Sequence, residues 1–125
     1  MNLNNLNNLI ELFVNQANKQ NKKDIFLEWL NPNNKKTYTW EQTEKNILKL
    51  SKVIKENIKE GDRCHLVSEK RPESLVTDLA IMSIGAISVP AYTTSTTNDY
   101  KYIIEHSGAR CAIVSSHELM KKALP

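Results

Sequence analysis

Thr93-Thr94-Ser95-Thr96-Thr97 puts five hydroxyls in a row, the densest set of potential ligand groups in the chain. Hydroxyls hold phosphate or magnesium, and they also cap helices, a task that falls here to Thr96 or Thr97. A phosphate-cradling loop needs glycine for close backbone approach and a nearby lysine, and this loop has neither. The run reads as one wall of a larger site, not as a triphosphate cradle. Lys70 and Arg71 stand just before Pro72, at a helix start where backbone N–H groups and the helix dipole favour an anion. Their plainer alternative is that of exposed loop cations. His65, His106 and His117 lie at no metal-ligand or triad spacing, and the carboxylates are scattered, outward-facing singles. Cys64 and Cys111 form no CxxC or Cys/His cluster and read as two reduced, buried thiols. Neither a catalytic residue nor a metal ligand is assigned.

The elements that would position these groups follow from apolar periodicity. Leu6, Leu9, Ile10, Phe13 and Ala17 share one helical face, with asparagines outside. Ile25–Leu30 and Lys36–Trp40 predict a hairpin around Asn31-Pro32-Asn33-Asn34, with a loop slightly longer than minimal. Thr39 and Gln42 have capping-box spacing and open a long helix to about Ile58, ended by Gly61. Its buried stripe is Ile47, Leu50 or Ser51, Ile54 and Ile58, and its outer face carries Lys45, Lys49, Lys52, Lys55 and Lys59. That face reads as solvated lysine, with weak contact to an anionic membrane surface as the alternative.

From Cys64 onward, strands and helices alternate: a strand to Ser68, then a helix from Pro72. That helix holds Glu73, Thr77 and Asp78 outward and becomes apolar nearly all round from Leu79 to Ile84. Gly85 turns the chain into a central strand, Ala86–Ala91. A helix from about Thr96 presents Tyr100, Ile103 and Ile104 and ends at Ser107-Gly108. A strand from Cys111 to Ser115 leads into a helix capped by Ser116. The fold class is α/β, a parallel βαβαβ core flanked by helices and preceded by a helix and a short hairpin. Ligands of such sheets bind beyond the carboxyl ends of the strands, at Glu69–Pro72, Tyr92–Thr97 and Ser115–Glu118.

At 125 residues the chain is one domain or part of one, with 40% apolar and 25% charged residues. A net charge of +3 and 6% aromatics argue against nucleic acid as a partner. Met1–Leu6 lacks the basic and apolar regions of a signal peptide, and Leu79–Ala91 is too short to span a bilayer. A cytoplasmic location, at most peripheral at the membrane, is the expectation.

Several stretches together resemble one family. They are Thr37-Tyr38-Thr39-Trp40-Glu41, Gly61-Asp62-Arg63, Ser68-Glu69-Lys70-Arg71-Pro72-Glu73, Asp78-Leu79-Ala80-Ile81, Gly85-Ala86-Ile87-Ser88-Val89-Pro90, Tyr92-Thr93-Thr94-Ser95-Thr96 and Ser107-Gly108-Ala109-Arg110. In this order and spacing they look like the N-terminal part of AMP-forming acyl-CoA synthetases. Within that adenylate-forming superfamily they most resemble bacterial long-chain fatty acid–CoA ligases. Lys70 and Ser74 depart from the family, where asparagine and tryptophan are frequent.

The resemblance implies an incomplete N-terminal part of a large AMP-binding domain. Residues 1–60 supply its helix, hairpin and long helix, residues 61–125 its βαβαβ unit, and the C-terminal lid domain is absent. The intact enzyme would use ATP and Mg2+ to turn a long-chain fatty acid into an acyl-adenylate, and CoA to displace AMP. The family's catalytic groups lie beyond Pro125, so the chain alone would be inactive and bind no cofactor tightly. Tyr92, Thr93 and Thr94 match a loop that approaches the CoA nucleotide in acetyl-CoA synthetase-like relatives. Met120 and Ala123 stand at the positions of those relatives' basic residues, with Lys121 and Lys122 beside them. The alternative is a stand-alone α/β module that binds a nucleotide or CoA, or docks on a partner or its own copy, without catalysis.

Overall fold

The computed structural model describes residues 7–124. Leu6, the leader-type reading of Met1–Leu6, and Pro125 lie outside the described residues. Helix α1 (Leu9–Lys19) starts where the Asn8 side chain accepts from the Glu11 N–H at 2.9 Å. Ala17 is fully buried, and Ile10 and Phe13 pack on the core, but Leu9 is half exposed at the helix edge.

Strands β1 (Ile25–Asn31) and β2 (Asn34–Thr39) form the antiparallel hairpin. Its loop is shorter than the sequence suggests: Asn31 pairs with Asn34, which leaves only Pro32 and Asn33 in the turn. The Asn31 side chain accepts from the Asn33 N–H at 3.0 Å, an Asx turn that lets the ladder run to the tip. Phe13, Phe26 and Trp40 join α1, the hairpin and the next helix, with ring centroids 4.3–5.7 Å apart.

Helix α2 (Trp40–Lys55) opens with the expected reciprocal cap between Thr39 and Gln42. Ile47, Ser51 and Ile54 are buried, Leu50 is half-buried, and the five lysines of the outer face are exposed. The helix stops at Lys55, short of Ile58, although Ile58 still reaches the core. Gly61 is therefore not its cap. With φ +81° it turns the chain toward the sheet, and its N–H donates to the Gly85 carbonyl at 2.9 Å.

The parallel sheet comprises β3 (Arg63–Val67), β4 (Ile87–Ala91) and β5 (Cys111–Val114), in the order β4-β3-β5. The central strand among the described residues is thus β3, not β4. Ladder bonds reach β3 from both sides, and four of its five residues are buried, whereas no residue of β4 or β5 is. Side chains alternate across β3. Cys64 joins the larger core with α2 and α3 (Pro72–Ser83), while Val67 joins a second cluster with α4 (Thr97–Ser107) and α5 (His117–Ala123).

Helix α3 has proline in its first turn, and Leu79, Ala80 and Ile81 sink into the core as their pattern requires. Thr77, read as outward, is buried, because its hydroxyl donates to the Glu73 carbonyl at 2.7 Å and is satisfied within the helix. Helix α4 ends on Gly108 with φ +65°, a left-handed cap, and Arg63 Nε donates to the Ser107 carbonyl at 2.7 Å. No described helix is long and apolar enough to cross a membrane.

Candidate functional site

Because β3, β4 and β5 run parallel, the loops after them meet at one edge of the sheet. All three loops singled out by the sequence lie there. Residues 68–71 enter α3, residues 92–96 enter α4, and Ser115-Ser116 enter α5. Each helix thus begins at this edge, with its partial positive end toward the loops.

Side chains far apart in the sequence bind these loops together. Ser115 donates its hydroxyl to the Glu69 carboxylate, joining the first loop to the third. That bond, followed by backbone hydrogen bonding, holds the Glu69 carboxyl below its ordinary range. In the threonine loop, Thr96 accepts from the Asp99 N–H at 3.2 Å, and Asp99 accepts from the Thr96 N–H at 2.7 Å. Backbone bonding to Thr96 is the main cause that lowers the Asp99 carboxyl. The capping role therefore falls to Thr96.

Tyr92, Thr93 and Thr94 stand at the mouth of this edge, with Tyr92 83% exposed. Lys122 reaches back from α5 and places Nζ 3.4 Å from the Thr93 carbonyl oxygen and 5.8 Å from the centre of the Tyr100 ring. Lys122 stands beside the matched positions Met120 and Ala123 without being aligned to either. The signal that could have found it is the one-turn helix phase that puts Lys122 on the sheet side of α5 with Leu119 and Ala123, while Lys121 is exposed.

Lys70 and Arg71 line a second feature, a cavity of about 430 Å³ between the hairpin and the sheet, walled by Leu27, Trp29, Leu66 and Pro90. Lys70 is exposed, Arg71 half-buried, and Arg71 Nε has no hydrogen-bond partner among the described residues. The structure does not bring these cations to the threonine loop within any described contact. Of the histidines, His106 stacks on Tyr102 with centroids 5.4 Å apart, and His117 is exposed at the start of α5. His65 is fully buried, and burial lowers its pKa below the ordinary 6.5.

The donor set decides which groups fit. Hydroxyls and the Lys122 ammonium are groups that suit an anion. For magnesium and a triphosphate the residues do not fit. No group of three or more His, Cys, Asp or Glu side chains converges among the described residues, and the threonine loop lacks glycine.

This architecture, helix and hairpin ahead of a parallel α/β sheet with loops gathered at its carboxyl edge, is that of the N-terminal subdomain of adenylation enzymes. The family described as AMP-binding enzyme matches residues 13–125, and the chain belongs to it. Its N-terminal part is what the chain represents. Over 57 residues, 46% of the chain, it is 33% identical to long-chain-fatty-acid–CoA ligase FadD15 of Mycobacterium tuberculosis. The same figures hold for FadD15 of Mycobacterium bovis. The matched stretch covers 10% of either relative, so the chain corresponds to a small share of their length. Among solved structures, a fatty acid AMP ligase from Legionella pneumophila superposes with TM-score 0.78 at 20% identity, covering 94% of this chain and 21% of that one. The N-terminal subdomain of Klebsiella oxytoca NpsA, in complex with 3-hydroxyanthranilyl-AMSN, gives TM-score 0.78 at 22% identity, covering 90% and 28%. At these identities the structural likeness carries the fold alone.

Proposed function

We propose that this chain is the N-terminal segment of the large domain of an ATP-dependent acid–thiol ligase that activates a long-chain fatty acid. The observation that carries this reading is the 33% identity to long-chain-fatty-acid–CoA ligase FadD15 within a chain that matches the AMP-binding family. A carboxylate is a poor electrophile; ATP with Mg2+ supplies the adenylate that makes it reactive, and the CoA thiol then displaces AMP.

The described residues contribute binding and orientation to this scheme. Tyr92, Thr93 and Thr94 form a wall toward the CoA nucleotide, and Lys122 supplies the cation that the sequence match lacked at Met120 and Ala123. Thr96 and Asp99 fix the loop by capping α4, and Tyr100 holds it from below. The adenylation step itself is assigned to groups other than these residues. The location proposed is cytoplasmic, with the lysine face of α2 available for weak contact with an anionic membrane.

The test is ATP–pyrophosphate exchange by the complete protein that carries this chain, with fatty, aryl and amino acids compared. Exchange with fatty acids supports the proposal. Exchange with aryl or amino acids alone would replace it with an adenylation enzyme of another substrate class.

A further inference from the structure

Cys64 and Cys111 are 47 residues apart in the chain yet are direct partners across the parallel β3–β5 ladder, with Sγ atoms 3.0 Å apart. Both are free thiols. Neighbouring strands lie about 4.8 Å apart, which is within the Cα separation that a disulfide accepts, and bond formation needs an approach of about 1 Å from the present sulfur contact. The two sites also differ in access. Cys64 is fully buried, whereas Cys111 is half-buried and lines a groove of about 450 Å³ with Leu50, Val53, Asn57 and Arg110.

We infer that Cys64 and Cys111 are a redox modification site that closes to an intrachain disulfide when hydrogen peroxide enters the groove beside α2. The Cys111 sulfur attacks one oxygen of the peroxide, so that an S–O bond forms and the O–O bond breaks, and the Cys111 thiol proton leaves with the departing hydroxide as water. The Cys64 sulfur then attacks the Cys111 sulfenic sulfur. The S–S bond forms as the S–O bond breaks, and the Cys64 proton leaves with the hydroxide as a second water. Two thiols lose two electrons to one peroxide. Burial raises the Cys64 thiol and keeps it protonated, so Cys111, on the groove, is the sulfur that meets the peroxide first. The bridge would tie the edge strand β5 to β3. This inference stands on strand register and is independent of the reaction proposed above.

The test treats the native protein with hydrogen peroxide, quenches free thiols with iodoacetamide and maps tryptic peptides by mass. Arg63 and Arg110 precede the two cysteines, so the bridge would join peptide 64–70 to peptide 111–121. The expected result is that joined pair, lighter by two hydrogens, reversed by dithiothreitol. Cys111→Ser should abolish it and leave Cys64 alkylated only after unfolding. Because that variant perturbs a sheet residue, Cys111→Ala serves as a second check with the same expectation. Both wild-type thiols remaining free, sulfinic acid at Cys111 without the joined peptide, or a dimer linked through Cys111 would each overturn the inference.

Discussion

The buried Tyr100 hydroxyl donates a 2.6 Å hydrogen bond to the carbonyl oxygen of Tyr92, eight residues earlier. It ties the first turn of α4 to the point where β4 gives way to the threonine loop. Burial, followed by the nearby Asp99 charge, raises the Tyr100 hydroxyl pKa, so it remains a donor across the neutral range. Tyr100→Phe keeps the ring and removes only the donor. It should cost about 1 kcal/mol, the ordinary net worth of one hydrogen bond, because the Tyr92 carbonyl still accepts from the Ser95 N–H at 3.2 Å. Urea denaturation measures this, and Tyr102→Phe, on the exposed side of the same helix, should change nothing.

Two glycines allow a graded test of the turns that aim the sheet. Gly61 and Gly85 both have positive φ, at +81° and +75°. A Cβ on Gly61 meets nothing within 4 Å, but one on Gly85 would lie 2.8 Å from Glu60 Cγ. Gly61→Ala should cost about 1 kcal/mol from backbone conformation alone. Gly85→Ala should cost more, and Glu60→Ala should recover part of the difference in a double-mutant cycle.

His65 gives a pH signature. Its Nδ1–H donates to the Val89 carbonyl at 3.0 Å, and Nε2 is buried with no partner among the described residues. A proton on Nε2 would bring a charge into the core without an acceptor. With the folded pKa below 6.5, the unfolded chain binds the extra proton first, so stability is complete above that value and falls as pH drops through it. The slope is at most about 1.4 kcal/mol per pH unit for one proton. Thermal melts from pH 7.5 to 5 should show this loss for the wild type. They should show a flatter profile for His65→Asn, whose amide can still donate to Val89.

What the sequence exposes and what it hides divide along the range of the interactions. Thr39 with Gln42, Pro72, Thr96, Gly108 and Ser116 act within one helical turn, and each stands where its type and spacing place it. The three loops at the sheet edge also follow, because strand–helix alternation alone orients them. Hidden were the relationships that depend on strand order. With β3 in the centre, Cys64 meets Cys111, and Glu69 meets Ser115. Neither contact has a local signature. Lys122 falls between these cases: its helix phase is local, but the Thr93 carbonyl it reaches is 29 residues away.

That contact gives the site its own test in the complete protein. Lys122→Ala should raise KM for CoA by about tenfold, the scale of one charge-assisted hydrogen bond, with ATP–pyrophosphate exchange unchanged. A loss confined to exchange would move Lys122 from the thiol half of the reaction to the adenylation half.

Substrate class and the two-step use of ATP and CoA define the proposed enzyme. The most direct measurement is fatty-acid-dependent ATP–pyrophosphate exchange by the complete protein, followed in the same preparation by CoA addition and detection of the thioester. Exchange that requires a long-chain fatty acid, then acyl-CoA appearing with AMP, is the predicted result. Absence of exchange with any fatty acid, or exchange that yields no thioester when CoA is added, would contradict it.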